Sequence, residues 1–298
     1  MRKPKLIKCL VTSPLYIHGA DRSKPELRIP AIKAAMRYWW RALHPDYESG
    51  KELYKAESKI FGGTSGEEGG NRAVFSLRLK KSTLDIEQRE TLPHKSGFKS
   101  DVYADNSEFT LSLLCPPEHE RSIAALLELA GLIGGIGQRS RRGFGNFLVY
   151  EEYGDFLTVT TNYLETLIRR VRPKGIHFHR TSSELKLTYQ YGTKLKFPYL
   201  TKIRFGEWAK DLDELIRATG QTTHDELRKN RNRYTSTIAG ATGEDRFGST
   251  VWISIGPEGE EGKDSVQVLA AYVHPVPPSG TSTPGYQDAF VNAIKPKL

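Results

Sequence analysis

The segment Gly134-Gly-Ile-Gly-Gln-Arg-Ser-Arg-Arg-Gly-Phe-Gly145 holds the residues of this chain best suited to chemistry with a polyanion. Its five glycines permit positive φ and let the backbone approach another molecule closely. Arg139, Arg141 and Arg142 stand among them, and a guanidinium matches phosphate oxygens in a two-pronged geometry. Backbone N–H groups and arginines in one flexible cradle hold a phosphate backbone without reading its sequence. The segment is not a Walker loop, because no Lys-Ser/Thr follows its glycines. Nor is it GxGxxG, since Ser140 stands where the third glycine is needed. Gly137, Gln138, Arg139, Ser140, Arg141 and Arg142 are therefore candidate contacts to a phosphate backbone. The competing reading is a solvated turn after a helix, and an exposed loop of either kind predicts that all three arginines can be removed without unfolding the chain.

A second basic feature precedes it. Pro30 to Leu43 reads as a helix, with proline in its first turn, where a missing N–H costs nothing. Ile32, Met36, Trp39, Trp40 and Leu43 recur at helical spacing as an apolar face. Lys33, Arg37 and Arg41 recur every four residues on another face, and Arg28 lies just before the helix. These four cations could line the same face as the glycine-rich segment, against the plainer reading of a solvated helix face. Trp39 and Trp40 share the apolar face and are assigned to the core rather than to base stacking.

Catalytic constellations are weak. His18 and Asp21 follow the first apolar run beside Gly19. A histidine there could act as general acid or base on a ribose 2′-hydroxyl, and the plainer reading is a pair of turn residues. His177 and His179 alternate in Gly-Ile-His-Phe-His-Arg, but no cysteine or acidic cluster accompanies them as further metal ligands. Cys9 and Cys115 are alone in apolar runs and read as small core residues. No catalytic residue, metal ligand or cofactor is assigned.

The 298 residues carry 44 Lys+Arg against 35 Asp+Glu, a formal charge of +9 with a pI near 9.3, which favours a polyanionic partner. Hydrophobic residues at 38% suffice for packed cores and exclude a disordered chain. The N-terminus lacks the apolar region and cleavage site of a signal peptide, and no run approaches the roughly 20 apolar residues of a membrane span. These features predict a soluble, cytoplasmic protein.

The elements that must position the basic segments follow from periodicity. Strands are expected at Leu6 to Ile17, Ala73 to Leu79, Glu108 to Leu114 and Phe147 to Glu151, with helices at 30–43, 51–61 and 118–133. Lys81 to Asn106 reads as a polar insertion and Gly62 to Gly70 as a flexible loop. The order strand, helix, strand, strand, helix, strand is the split βαβ of a ferredoxin-like sandwich. The second half repeats it less clearly. Helices are expected at 162–171 and 205–219, with strands at 250–255 and 265–273 flanking a charged hairpin tip. A linker from His274 to Gly285 leads to a short C-terminal helix. The expected fold is α+β, two tandem ferredoxin-like (RRM-like) βαββαβ domains with insertions, divided as 1–152 and 153–298.

Together, Pro14-Leu-Tyr-Ile-His-Gly-Ala-Asp21, Glu26-Leu-Arg-Ile-Pro-Ala-Ile-Lys-Ala-Ala-Met-Arg-Tyr-Trp-Trp-Arg-Ala-Leu43 and the glycine-rich segment resemble the RAMP superfamily of CRISPR proteins. The first two resemble in particular subunit one of the type III-B effector complex. Phe197-Pro-Tyr-Leu200 and Asp245-Arg-Phe-Gly-Ser-Thr-Val-Trp-Ile-Ser-Ile255 are similar to the family's second-domain entries. The resemblance implies a subunit without nuclease activity that caps an RNA-guided filament near the 3′ end of the guide RNA, and it makes Arg28, Lys33, Arg37 and Arg41, with Gln138, Arg139, Ser140, Arg141 and Arg142, candidate RNA contacts. Its partners would be guide RNA, possibly target RNA, and neighbouring RAMP subunits. The rival within the same superfamily is a metal-independent endoribonuclease that processes precursor guide RNA.

Overall fold

Ile7, Cys9 and Val11 point to one side of Lys5–Val11 and are buried, which makes this segment a half-buried strand, β1. The computed structural model describes residues 3–63, 70–90, 92, 97–150, 159–190, 197–229, 249–258, 265–274 and 284–296. After β1 come α1 (Ile29–Leu43), α2 (Gly50–Phe61), β2 (Ser76–Thr83), β3 (Ile86–Glu90), β4 (Lys99–Tyr103), β5 (Glu108–Leu114), α3 (Pro117–Ile133) and β6 (Phe147–Tyr150). Four of these strands form an antiparallel sheet in the order β2-β5-β1-β6. One face of it is apolar, through Ile7, Cys9, Val11, Leu77, Phe109, Leu111 and Leu113, and is packed with Ile32, Met36, Trp39 and Leu43 of α1 and the leucines of α3.

The polar insertion expected at Lys81 to Asn106 is largely ordered. β2 runs on to Thr83, and β3 and β4 pair as a separate two-stranded ribbon. The ribbon is held at its base by Leu15 and Tyr103, which exchange backbone hydrogen bonds of 2.8 and 3.1 Å, and by buried Val102. β1 ends at Val11 rather than running to Ile17, because Ser13 turns inward to bond buried Asn146.

The second half contains α4 (Thr161–Val171), β7 (Ile176–Arg180), β8 (Glu184–Tyr189), β9 (Tyr199–Ala209), α5 (Leu212–Lys229), β10 (Val251–Glu258), β11 (Val266–His274) and a last helix, α6 (Pro284–Ala293). Its five strands form one antiparallel sheet, β10-β11-β9-β8-β7. The chain order departs from the expected βαββαβ: a helix, the edge strand β7 and its neighbour β8 come first, and β9-α5-β10-β11 follow. The helix expected from Phe205 begins later. Phe205 and Ala209 are buried and pair with Leu269 and Val266 of β11, and Asp211 then caps α5 by accepting from the Glu214 N–H at 2.8 Å. The expected domain boundary at 152/153 and most of the flexible loop (62–70), the hairpin tip (256–263) and the linker (274–285) lie outside the described residues, while Gly256 to Glu258 belong to β10 and Pro284 and Gly285 open α6.

The two halves share one core. Leu164, Leu185, Leu200, Trp252 and Leu269 join the residues of the first half in a single apolar cluster, while α5 and α6 cover the other face of the second sheet. β11 is therefore buried on both faces, which explains its nearly continuous apolar run. Arg172 fastens the join: its guanidinium donates to the Leu43 carbonyl at the end of α1 (2.7 Å) and, two-pronged, to Asp46 (2.7 and 3.0 Å). Cationic groups are favoured at a helix C-terminus, so one side chain both caps α1 and pairs a carboxylate. Tyr189 adds a hydroxyl bond to the Ala42 carbonyl at 3.1 Å.

Replacing Arg172 by Ala strands the Asp46 carboxylate and the Leu43 carbonyl, and is expected to lower the unfolding free energy by about 3 kcal/mol in urea denaturation. His44 lies against Trp40, its Nδ1 2.7 Å from the Trp40 carbonyl, and burial pushes its pKa down to about 4. The unfolded chain takes up that proton near pH 6.5 and the folded one does not, so the neutral ring's contribution is complete above pH 6.5 and is lost as pH falls towards 4. Urea titrations between pH 7 and 4 should show up to about 3 kcal/mol of acid destabilisation that a His44→Gln variant lacks.

Candidate nucleic-acid interface

α3 delivers the chain to the glycine-rich segment, and the backbone there is stitched in place. The Gly135 N–H closes on Ala130 at 2.8 Å, the Ile136 N–H on Gly145 at 2.8 Å, and the Gly145 N–H on Pro14 at 3.0 Å. Glycine is required at two positions in particular. A Cβ on Gly145, whose φ is +76°, would sit 1.9 Å from the Ile136 carbonyl oxygen. One on Gly137, with φ +86°, would meet the Tyr16 carbonyl oxygen at 2.5 Å. These contacts press the tip onto residues 14–17, where the Gln138 N–H donates to the Tyr16 carbonyl at 2.7 Å.

The three arginines of this segment have different surroundings. Arg139 lies at the exposed tip with Gly137 and Gln138, in a left-handed conformation with φ +58°. Arg141 turns inward: it donates to the Ser249 carbonyl at 2.7 Å and lies over the Trp252 ring at 4.5 Å. Arg142 donates to the Val251 carbonyl at 3.1 Å and covers Phe290 of α6. Burial, and then the charge of Arg141, push its guanidinium below the usual arginine range. The backbone joins in, as the Gly143 N–H donates to the Ile253 carbonyl (2.9 Å) and the Ile253 N–H to the Arg141 carbonyl (3.2 Å). The segment is thus not the freely exposed loop expected from composition, because its second half is a bridge to β10.

The basic face of α1 is also partly absorbed by the fold. Arg37 donates to buried Glu57 of α2 at 2.8 Å and to the carbonyls of Phe61 and Gly62, and Arg41 lies 3.3 Å from the same carboxylate. Lys33 lies over the Phe75 ring, and burial lowers its pKa. Arg28 is exposed, 3.9 Å from exposed Glu26. Trp39 and Trp40 are core residues, as expected.

The tip opens onto a polar cleft of about 390 Å³. Tyr16, His18, Arg22 and Ser23 line one wall, Gln88, Lys99, Ser100 and Asp101 of the β3–β4 ribbon the other, and Gln138 closes one end. Tyr16 and His18 meet edge to face at 5.1 Å, and the Ser100 hydroxyl reaches that of Tyr16 at 3.4 Å. Asp21 accepts from the Ser23 N–H (2.9 Å) and hydroxyl (2.6 Å), and these bonds hold its carboxyl below the usual range. His177 and His179 are on β7, as the alternation predicted, and no metal-binding cluster of His, Cys, Asp or Glu occurs among the described residues. The ribbon wall was missed in the sequence. Its signal was the alternation of Lys99, Asp101 and Tyr103 opposite Glu90, Gln88 and Ile86.

A RAMP superfamily sequence profile matches residues 8–148, which contain both the cleft and the glycine-rich segment. The CRISPR system Cmr subunit Cmr1-2 of Pyrococcus furiosus is 30% identical over 169 residues, covering 46% of this chain and 90% of that protein. This chain is a Cmr1-like member of the RAMP superfamily. The Cmr subunit Cmr1-1 of the same organism is 29% identical over 163 residues, which span 49% of this chain and about half, 47%, of that protein. Two solved structures share the fold of the whole Cmr1-like chain. The apo crystal structure of Cmr1 from P. furiosus superposes with a TM-score of 0.59 at 19% identity, covering 98% of this chain and 97% of that one. A chain of the type III-B Cmr-beta complex bound to cognate target RNA and AMPPnP gives 0.58 at 10% identity, covering 99% and 98%. The mixed architecture with antiparallel sheets is therefore that of Cmr1.

The arginines should separate experimentally. Arg141→Ala and Arg142→Ala each leave β10 carbonyls or rings uncovered and should destabilise the chain by about 1 to 3 kcal/mol. Arg139→Ala should leave the thermal midpoint unchanged, which differential scanning calorimetry of the three variants would check.

Proposed function

We propose that this Cmr1-like chain is a non-catalytic guide-RNA-binding subunit of a type III-B RNA-targeting complex, capping the filament near the guide's 3′ end beside other RAMP subunits. One observation carries the reading. Arg139 is exposed at the glycine-rich tip, next in sequence to Gln138, which lines the cleft with Arg22 and Lys99, and none of these three cations has an ion pair among the described residues. Unpaired cations around exposed backbone N–H groups bind phosphate oxygens and release counterions. The Pyrococcus relatives are named as Cmr subunits, and the matching Cmr-beta chain comes from a complex holding target RNA, which supports the same assignment. Each half also fits a ferredoxin-like plan: the first sheet has the neighbour order of that fold, and the second has it if β8 is read as its last strand moved to the front.

His18 in the same cleft favours one rival, a metal-independent endoribonuclease. A titration of the purified protein with fluorescent single-stranded RNA between 50 and 400 mM salt separates the two, run with an Arg22→Ala/Arg139→Ala variant and a gel lane in EDTA. Affinity should fall steeply with salt, by a log–log slope of about −0.7 per phosphate held. The variant should lose about 1 to 3 kcal/mol per contact and flatten the slope, with the RNA intact. Cleavage in EDTA that His18→Ala abolishes would establish the nuclease instead.

A further inference from the structure

We infer that the cleft between Tyr16 and the β3–β4 ribbon is a pocket for one unpaired nucleotide of the bound RNA, selective for guanine. The inference rests on the RNA-binding reading above and names what that site takes. Gln88 and Asp101 are cross-strand neighbours that line the same wall. Across from them Gln138 is held in place by the glycine-dependent contact of the tip with Tyr16. The side chains of Gln88, Asp101 and Gln138 make no hydrogen bond among the described residues, so three polar groups converge with their capacity unused. A cleft of this size, with a few convergent polar groups, is what a small ligand requires.

The composition of the walls selects the ligand. Cations flank the cleft through Arg22 and Lys99, which suits a phosphate on either side, whereas the Asp101 carboxylate repels one and calls for a donor. An ionised carboxylate only accepts hydrogen bonds. Guanine presents two adjacent donors, N1–H and the N2 amino group, on its Watson–Crick edge. In adenine and cytosine the amino group adjoins a ring acceptor, and in uracil the lone N–H lies between two carbonyls. Two oxygens of one carboxylate match the guanine edge alone. The Tyr16 ring supplies a surface for the base, since bases unstacked from single-stranded RNA are held on aromatic faces.

The test measures affinities of the full chain for nine-nucleotide oligouridine carrying a central G, A, C or U, with Asp101→Asn and Gln138→Ala variants beside it. A bidentate base contact corresponds to at least about fivefold discrimination. The wild type should therefore bind the G-containing RNA at least about fivefold more tightly than the others. Asp101→Asn should abolish that preference while keeping salt-dependent binding, and Gln138→Ala should narrow it. Equal affinity for all four RNAs, or a preference that survives Asp101→Asn, overturns the pocket and leaves the RNA-binding reading standing. No binding of any RNA overturns both.

Discussion

Two backbone hydrogen bonds between Arg141–Gly143 and Ile253 are the constraint on which the rest of this molecule depends. They make the last third of a glycine-rich segment into a short parallel partner of β10, so the segment belongs to both halves at once. Arg141 and Arg142 close the same joint with side chains over Trp252 and Phe290. With one end fixed to the second sheet and the other stacked on residues 14–17, the tip at 137–140 has little freedom. A phosphate-binding loop held in this way loses less entropy when it meets its ligand than a free loop would.

The same logic governs charge. The chain carries a formal +9, but much of its arginine serves the fold. Arg37 and Arg41 neutralise buried Glu57, Arg172 caps α1 and pairs Asp46, and Arg89 of the ribbon binds Glu87, Asp105 and Asp213 of α5. Of the cations near the cleft, Arg22 and Lys99 line it and Arg139 is exposed at the adjoining tip, while Arg28 lies beside exposed Glu26. Electrostatic steering depends on such placement more than on total charge.

Much of the first half was legible in the sequence, because its signals are local. The period of Ile32, Met36, Trp39 and Leu43, the alternation in β1 and β5, and the glycine that ends α3 each act within a few residues. Those signals also found the glycine-rich segment. They could not distinguish Arg139 from Arg142, because the difference is made by β10 and α6, more than a hundred residues later. The β3–β4 ribbon was hidden for another reason: one of its faces is wet, so alternation there is polar on polar and resembles a loop. Phe205 to Ala209 was misassigned because its two buried positions are four residues apart with Glu207 and Trp208 exposed between them, a spacing that a helix face also shows.

The shared core also dictates when this protein can acquire its shape. The carbonyl of Leu43 meets the guanidinium of Arg172 across 129 positions of chain, and Leu269 completes a cluster that starts at Ile7. On a ribosome adding about 5 to 20 residues per second, α1 therefore waits roughly 6 to 26 s for its cap. During that interval the apolar side of the first sheet has no second half to meet, and chaperones can reach it. Neither half is a finished product on its own. The nascent chain becomes a protein only when its last strands emerge.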